Sequence, residues 1–249
     1  MDEIEINFIE KAAAALFNGI GRYSVGVACL DKGNYSSHTV GGAAVKRSAS
    51  VIKLYILLAF LQCREVSDIS HREYGLIYDM ITLSDNEATN ALIDMLGMDK
   101  INAVISRYGF SGTRLERKML DFEAVENGLD NYTSVQDVLK FLKMAYTGEF
   151  GKDKSDLIYE IMKEQQNRSK LALLLPAGVS YAGKAGELDP EPDRGGVEND
   201  AGIITLSDKV LFITVLISSV REPDRAREAI AKFSKATYDL YNEQGQTFK

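Results

Sequence analysis

Three short strings in this 249-residue chain carry side chains whose types and spacing could do chemistry together: Ser50-Val51-Ile52-Lys53, Ser84-Asp85-Asn86 and Lys184-Ala185-Gly186. A serine hydroxyl is a weak nucleophile at its ordinary pKa and attacks a carbonyl only when a base takes its proton. Lys53 stands one helical turn beyond Ser50, which puts its amine on the same helix face. As that base it must be substantially neutral, a state that burial and a nearby positive charge favour. Lys184 is a candidate for the second charge. The backbone N–H at Ser50, opening the helix, and that of Glu187, just after Lys-Ala-Gly, are candidate donors to the oxyanion such an attack creates. In this order the strings make a serine acyl-transfer centre activated by lysine rather than histidine.

Each string also has a plainer reading. Ser50 could cap its helix, with Lys53 a surface lysine whose stem lies on an apolar face. Ser84 followed three residues later by Glu87 fits a capping box. Lys184 could be an ordinary edge-strand lysine, although a cation beside a glycine also suits a substrate carboxylate. Against the surface reading, Lys53 lies within Val51 to Leu58, a run apolar nearly all round, where a charged lysine without a task is costly. Ser84 and Asn86, if they face the lysine and the nucleophile, could relay the leaving-group proton and hold the substrate carbonyl.

The elements that must position these groups are legible from periodicity. Ile4, Phe8, Ile9, Ala12 and Leu16 predict a first helix ended near Gly19-Ile20-Gly21. Alternation predicts strands over 23–30 and 35–40, joined by Asp31-Lys32-Gly33-Asn34 as a hairpin. Helices are expected near 50–62, 72–82, 87–96, 100–107, 135–145 and 155–165, with a long ordered loop at 113–133 of the kind that serves a site. Strands return at 180–186, 201–206 and 210–218, before an amphipathic helix over 223–241 with Pro223 in its first turn. This is an α+β pattern: an antiparallel sheet flanked by the terminal helices (1–47 and 177–249), an all-helical lobe (48–176), and the active site in the cleft between.

Composition narrows the function. With 45% hydrophobic residues the chain supplies ample core, and a net charge of −7 with a pI near 5.1 argues against nucleic acid as a partner. The longest apolar stretches, such as Val210 to Ile217, are too short to span a bilayer, so no membrane partner is expected, and the chain reads as a monomer. Met1-Asp2-Glu3-Ile4-Glu5 lacks the positive start of a secretory leader, which fits a cytoplasmic protein or an exported one whose leader has been removed. Cys29 and Cys63 are expected to be buried free thiols. His38 and His71 flank no acid or serine partner and read as surface residues, which argues against a Ser-His-Asp triad. The few His and Cys residues are also badly spaced for zinc. Lys209 is expected to be an exposed turn residue rather than a further cleft cation.

The run from Met80 to Leu92, with Leu96-Gly97 after it, closely resembles the corresponding segment of class A β-lactamases. Thr113-Arg114-Leu115-Glu116-Arg117 resembles the opening of that family's omega loop, and Tyr146-Thr147-Gly148-Glu149 the helix end after it. Asp200-Ala201-Gly202-Ile203-Ile204 is similar to the strand after the family's Lys-Thr-Gly box. The resemblance implies a β-lactamase/transpeptidase-like fold, a small-molecule β-lactam or acyl-peptide substrate, and no cofactor or metal. It also implies Ser50 as acylated nucleophile, Lys53 as base or proton relay, Ser84 as proton shuttle to the leaving nitrogen, Asn86 as substrate-amide contact and Lys184 as carboxylate anchor. Ala185, Gly186 and Glu187 would line the substrate site.

Two departures bear on activity. Where the family places its deacylating glutamate, Arg117-Lys118-Met119-Leu120-Asp121-Phe122-Glu123 puts Met119, leaving Asp121 and Glu123 as substitutes or as solvated loop acids. Ala185 replaces the family's threonine, and a lost hydrogen bond to a charged group weakens binding by roughly 1.5–3 kcal/mol. The leading expectation is a serine hydrolase that acylates on Ser50 with β-lactams and hydrolyses the ester slowly. The alternatives are a penicillin-binding-protein-like D-Ala-D-Ala peptidase or esterase, and a non-catalytic β-lactam sensor or binding module.

Overall fold

Asp2 caps the first helix reciprocally with Glu5, each side chain accepting from the other's backbone N–H, and the helix, α1, runs Glu3–Phe17. The computed structural model describes residues 1–42 and 44–246. Strands β1 (Arg22–Asp31) and β2 (Asn34–Val40) form a hairpin whose two turn residues, Lys32 and Gly33, both have positive φ, the backbone that matches the twist of paired strands. After the short β3 (Lys46–Arg47) comes a three-ten turn, Ala49–Ile52, leading into α2 (Lys53–Leu61). Helices α3 (His71–Thr82), α4 (Asn86–Leu96) and α5 (Met98–Arg107) follow. The chain then passes through α6 (Phe122–Glu126), β4 (Tyr132–Thr133), α7 (Val135–Thr147) and α8 (Lys152–Lys163). Strands β5 (Ser180–Leu188), β6 (Gly196–Thr205) and β7 (Lys209–Val220) and helix α9 (Pro223–Gln246) complete it.

The five long strands make one antiparallel sheet in the order β2-β1-β7-β6-β5. Side chains alternate across a strand, so the sheet feeds two cores. On one face Ile213, Ile217 and Val25 pack with Ile9 and Phe17 of α1 and Phe233 and Tyr241 of α9. On the other, Phe212, Ile203 and Ala182 join the helices around α2. Every side chain of α2 is buried, and all but Lys53 are apolar or aromatic, which makes it the central helix of its layer. Among the described residues no helix is long and apolar enough to cross a membrane.

Several sequence expectations need correction. The helix expected from Ser50 begins as a three-ten turn, and α-helical geometry starts only at Lys53. The strand expected from Ala201 begins five residues earlier at Gly196, because Glu198, Asn199 and Asp200 are polar yet buried and so break the hydrophobic alternation. The 113–133 loop contains α6 and a bridge between Arg114 and Tyr132. Cys63 lies past the end of α2 and is only partly buried, whereas Cys29 is buried as expected; both are free. Lys209 opens β7 opposite Asp31, half-buried rather than exposed. His38 has an acid partner after all, Glu10 at 3.1 Å, while His71 is exposed.

Candidate active site

Ser50 sits in the three-ten turn directly against β5. A Cβ at Gly186 would lie 2.9 Å from the Ser50 nitrogen and 3.0 Å from the Ser48 oxygen and the Val51 nitrogen, so only glycine permits this approach. The turn is fixed from β6, where Asn199 donates its amide to the carbonyls of Arg47 (2.9 Å) and Ser48 (3.1 Å). Ser50 caps neither the turn nor α2; neither has a side-chain cap. Ser50 lines a cavity of about 170 Å³ together with Ser84, Asn86, Asn167, Lys184, Ala185, Gly186 and Glu187.

Lys53 is wholly buried and meets this cavity through Ser84 and Asn86, with no hydrogen bond to Ser50. Its Nζ donates to the Ser84 carbonyl (2.6 Å), to Asn86 Oδ1 (2.9 Å) and to Ser84 Oγ (3.2 Å). Burial lowers its pKa to about 7, against the opposing pull of Asp85, so near neutral pH much of it is the free amine. Lys184, also fully buried, donates to Ser84 Oγ (3.0 Å) and the Ala185 carbonyl (2.7 Å). Its pKa falls well below the ordinary value, through burial first and the charge of Lys53 second, with Asp200 opposing. Burial is thus the main cause of the fall at both lysines, and the two amines, which share Ser84 Oγ, disfavour each other's charge.

The capping box expected at Ser84 does not form. Asp85 is the N-cap of α4 and accepts from the Ala88 N–H at 2.6 Å. Ser84 instead adopts a positive φ of 60°, unusual outside glycine, which turns its hydroxyl between the two lysines. Both lysine nitrogens lie within hydrogen-bond distance of Ser84 Oγ, and either one, as the free amine, can accept from that hydroxyl.

A second hollow of about 100 Å³ lies on the other side of Ser50, reaching Asn86, Arg117, Met119, Leu120 and Asn131. Met119 is buried at the edge of the helical core, and its backbone is tied to Asn90, whose amide donates to its carbonyl (3.0 Å) and accepts from its N–H (2.8 Å). Asp121 and Glu123 line neither space. Asp121 caps α6 through the Ala124 N–H at 3.0 Å, and Glu123 is exposed in that helix's first turn. The loop is tied by Arg117, which reaches Asp130 at 2.8 Å, while Arg47 takes the other oxygen of Asp130 at 2.6 Å. A larger hollow of about 390 Å³ between Val66, Ile69, His71, Tyr74 and Leu157 brings together no nucleophile and base.

Of the residues singled out in the sequence, Ser50, Ser84, Asn86, Lys184, Ala185, Gly186 and Glu187 line the first cavity, while Lys53 lies behind it, hydrogen-bonded to Ser84 and Asn86 rather than to Ser50; the residues behind Glu187 are not among those singled out. The Glu187 carboxylate accepts from Asn167 (2.8 Å) and pairs with buried Lys170 (2.9 Å). Lys170 also pairs with buried Glu198 (2.7 Å), which in turn binds Arg227 (2.8 Å). Burial would raise the Glu187 pKa, but Lys170, Asn167 and Arg227 outweigh it and hold the carboxyl below its ordinary range. Nothing in local periodicity marks these partners.

The model of the beta-lactamase enzyme family matches residues 64–241, a span that contains Ser84 and Lys184 and starts after Ser50 and Lys53. No curated protein sequence matches the chain. Among solved structures, a representative of class A beta-lactamase from Bacteroides cellulosilyticus DSM 14838 is 23% identical, covering 96% of this chain and 99% of that one with a TM-score of 0.80. The TLA-3 extended-spectrum beta-lactamase is 22% identical over 95% of this chain and 99% of its own, TM-score 0.84. PBP-A is 22% identical over 95% and 96%, TM-score 0.79. At such identities the likeness is one of fold: the α+β architecture is that of class A β-lactamases and PBP-A.

Proposed function

Because the chain belongs to the beta-lactamase enzyme family, we propose that it is a serine hydrolase that forms an acyl-enzyme on Ser50 with β-lactams and releases the product slowly. In this reading residues 1–47 with 177–249 form an α/β lobe, residues 48–176 a helical lobe, and the substrate enters the cleft between them. The single observation that carries the proposal is a cavity lined by Ser50, Ser84 and Lys184, in which the Ser84 hydroxyl is shared between Lys184 and the buried Lys53 behind it.

The neutral Lys53 amine takes the Ser50 proton as Oγ attacks the lactam carbonyl, and the new C–O bond pushes the carbonyl electrons onto oxygen. That oxyanion lies against the N–H groups of Ser50 and Glu187. Its collapse breaks the C–N bond; Ser84 hands its proton to the leaving nitrogen and is resupplied by the Lys53 ammonium beside it. Asn86 holds the substrate amide, and Lys184 attracts the substrate carboxylate, whose arrival favours the charged form of that lysine. Hydrolysis of the ester then needs a base for water. Met119 supplies none, Asp121 caps α6 and Glu123 is exposed in that helix's first turn, lining neither hollow, which supports slow release.

Intact-protein mass spectrometry after mixing with a penicillin tests this. A persistent adduct, absent in Ser50→Ala, is expected. Rapid turnover without an adduct refutes slow release, and no labelling at all refutes β-lactam chemistry. The missing base also favours a second reading, a D-Ala-D-Ala peptidase or esterase whose acyl-enzyme lasts long enough to meet another acceptor; peptide and ester substrates separate the two.

A further inference from the structure

Lys170 is a fully buried cation that the acylation chemistry above does not use. Its three donors find three acceptors: Glu198 Oε2 at 2.7 Å, Glu187 Oε1 at 2.9 Å and the Gly186 carbonyl oxygen at 3.4 Å. The third contact matters because Gly186 C=O and Glu187 N–H belong to one planar peptide unit. In a trans peptide these two groups point in opposite directions. With the oxygen turned toward Lys170, the Glu187 N–H points away from that ammonium, on the segment of β5 against which the Ser50 turn packs at Gly186.

Resting on the proposed function, we infer that Lys170 is a positioning residue that fixes and polarises the Gly186–Glu187 peptide, so that its N–H becomes a stronger donor to the oxyanion formed on attack by Ser50. A positive charge at the carbonyl end of an amide draws electron density from nitrogen and makes the N–H more acidic, and in a buried setting that influence is little screened. The same ammonium grips the Glu187 side chain, so the peptide is clamped at its oxygen and at the residue that carries the N–H. Glu198 and Arg227 complete the arrangement by balancing charge: two carboxylates face two cations. Losing an entire oxyanion donor costs about 10²–10³ in rate, and loss of its polarisation costs less, about tenfold.

The test compares wild type with Lys170→Met and with the charge-balanced double variant Lys170→Met, Glu198→Gln, which leaves no unpaired buried carboxylate should the single variant fail to fold. Two quantities are read with a penicillin: the acylation rate constant, and the infrared carbonyl stretch of the acyl-enzyme ester, which rises as hydrogen bonding to that carbonyl weakens. The expected result is acylation slowed about tenfold with an upshifted ester band and an unchanged initial binding constant. An ester band at the wild-type frequency in labelled variants overturns the inference, whether or not the rate falls, because a general structural defect slows labelling without moving that band. A wild-type protein that never labels refutes the proposed function itself and this inference with it.

Discussion

Replacing Lys53 by methionine keeps most of the side chain's volume and removes the titration, so its effect on stability should depend on pH in a calculable way. Lysine in an unfolded chain titrates near 10.5, whereas burial brings Lys53 to about 7. Between these values the unfolded state binds more protons than the folded state, so stability rises with pH across that window and is lowest below it. Integrated from pH 6 to pH 9, the wild type gains about 2.5 kcal/mol that Lys53→Met does not. The variant also leaves the Ser84 carbonyl and Asn86 Oδ1 without their donor, but that cost is nearly the same at both pH values and cancels in the difference. The charge of Lys53 also depresses Lys184, and its removal relieves Lys184 chiefly at pH 6, which enlarges the expected difference. Urea unfolding of both proteins at the two pH values measures it. A mutational effect that is equal at pH 6 and pH 9 would refute the idea that burial keeps this amine near neutrality, and with it the role of Lys53 as base. The acylation rate of the wild type should correspondingly climb through about pH 7.

Other substitutions probe the remaining parts. Gly186→Ala places a methyl against the Ser50 and Val51 nitrogens, so β5 must move off the turn; labelling by a penicillin should fall at least about tenfold while circular dichroism stays native. Arg117→Ala leaves a buried carboxylate with one cation instead of two and should destabilise by about 3 kcal/mol in urea unfolding, with faster proteolytic cleavage within residues 118–129. Met119→Glu puts a carboxylate in the hollow beside Ser50 and should shorten the lifetime of the penicillin adduct by about 10²-fold or more in a chase experiment, the scale of general-base catalysis; an unchanged lifetime would show that the missing base is not what slows release.

Much of the site was legible because its chemistry sits in contiguous strings. Ser50 and Lys53 are neighbours on one turn, Lys184 to Glu187 are consecutive on one strand, and an unbroken apolar run around Lys53 announces burial. The limits were equally physical. Ser84 and Asp85 are both good caps, and only the backbone angle at Ser84 decides that Asp85 takes the role. The polar interior of β6 conceals a strand, since Glu198, Asn199 and Asp200 are buried by partners from other elements: Lys170, Arg47 and Ser48, and Tyr181. Pairings such as Lys170 with Glu198 or Arg117 with Asp130 follow no period, and a single chain offers no local sign of them.

The grip of Asn90 on Met119 separates architecture from timing. The Asn90 bonds reach only main-chain atoms, so that tie does not depend on the side chain, although the Met119 side chain is also packed in the helical core. Under the proposed function, an exchange at this one position would change how long the covalent species lasts while leaving that main-chain tie in place.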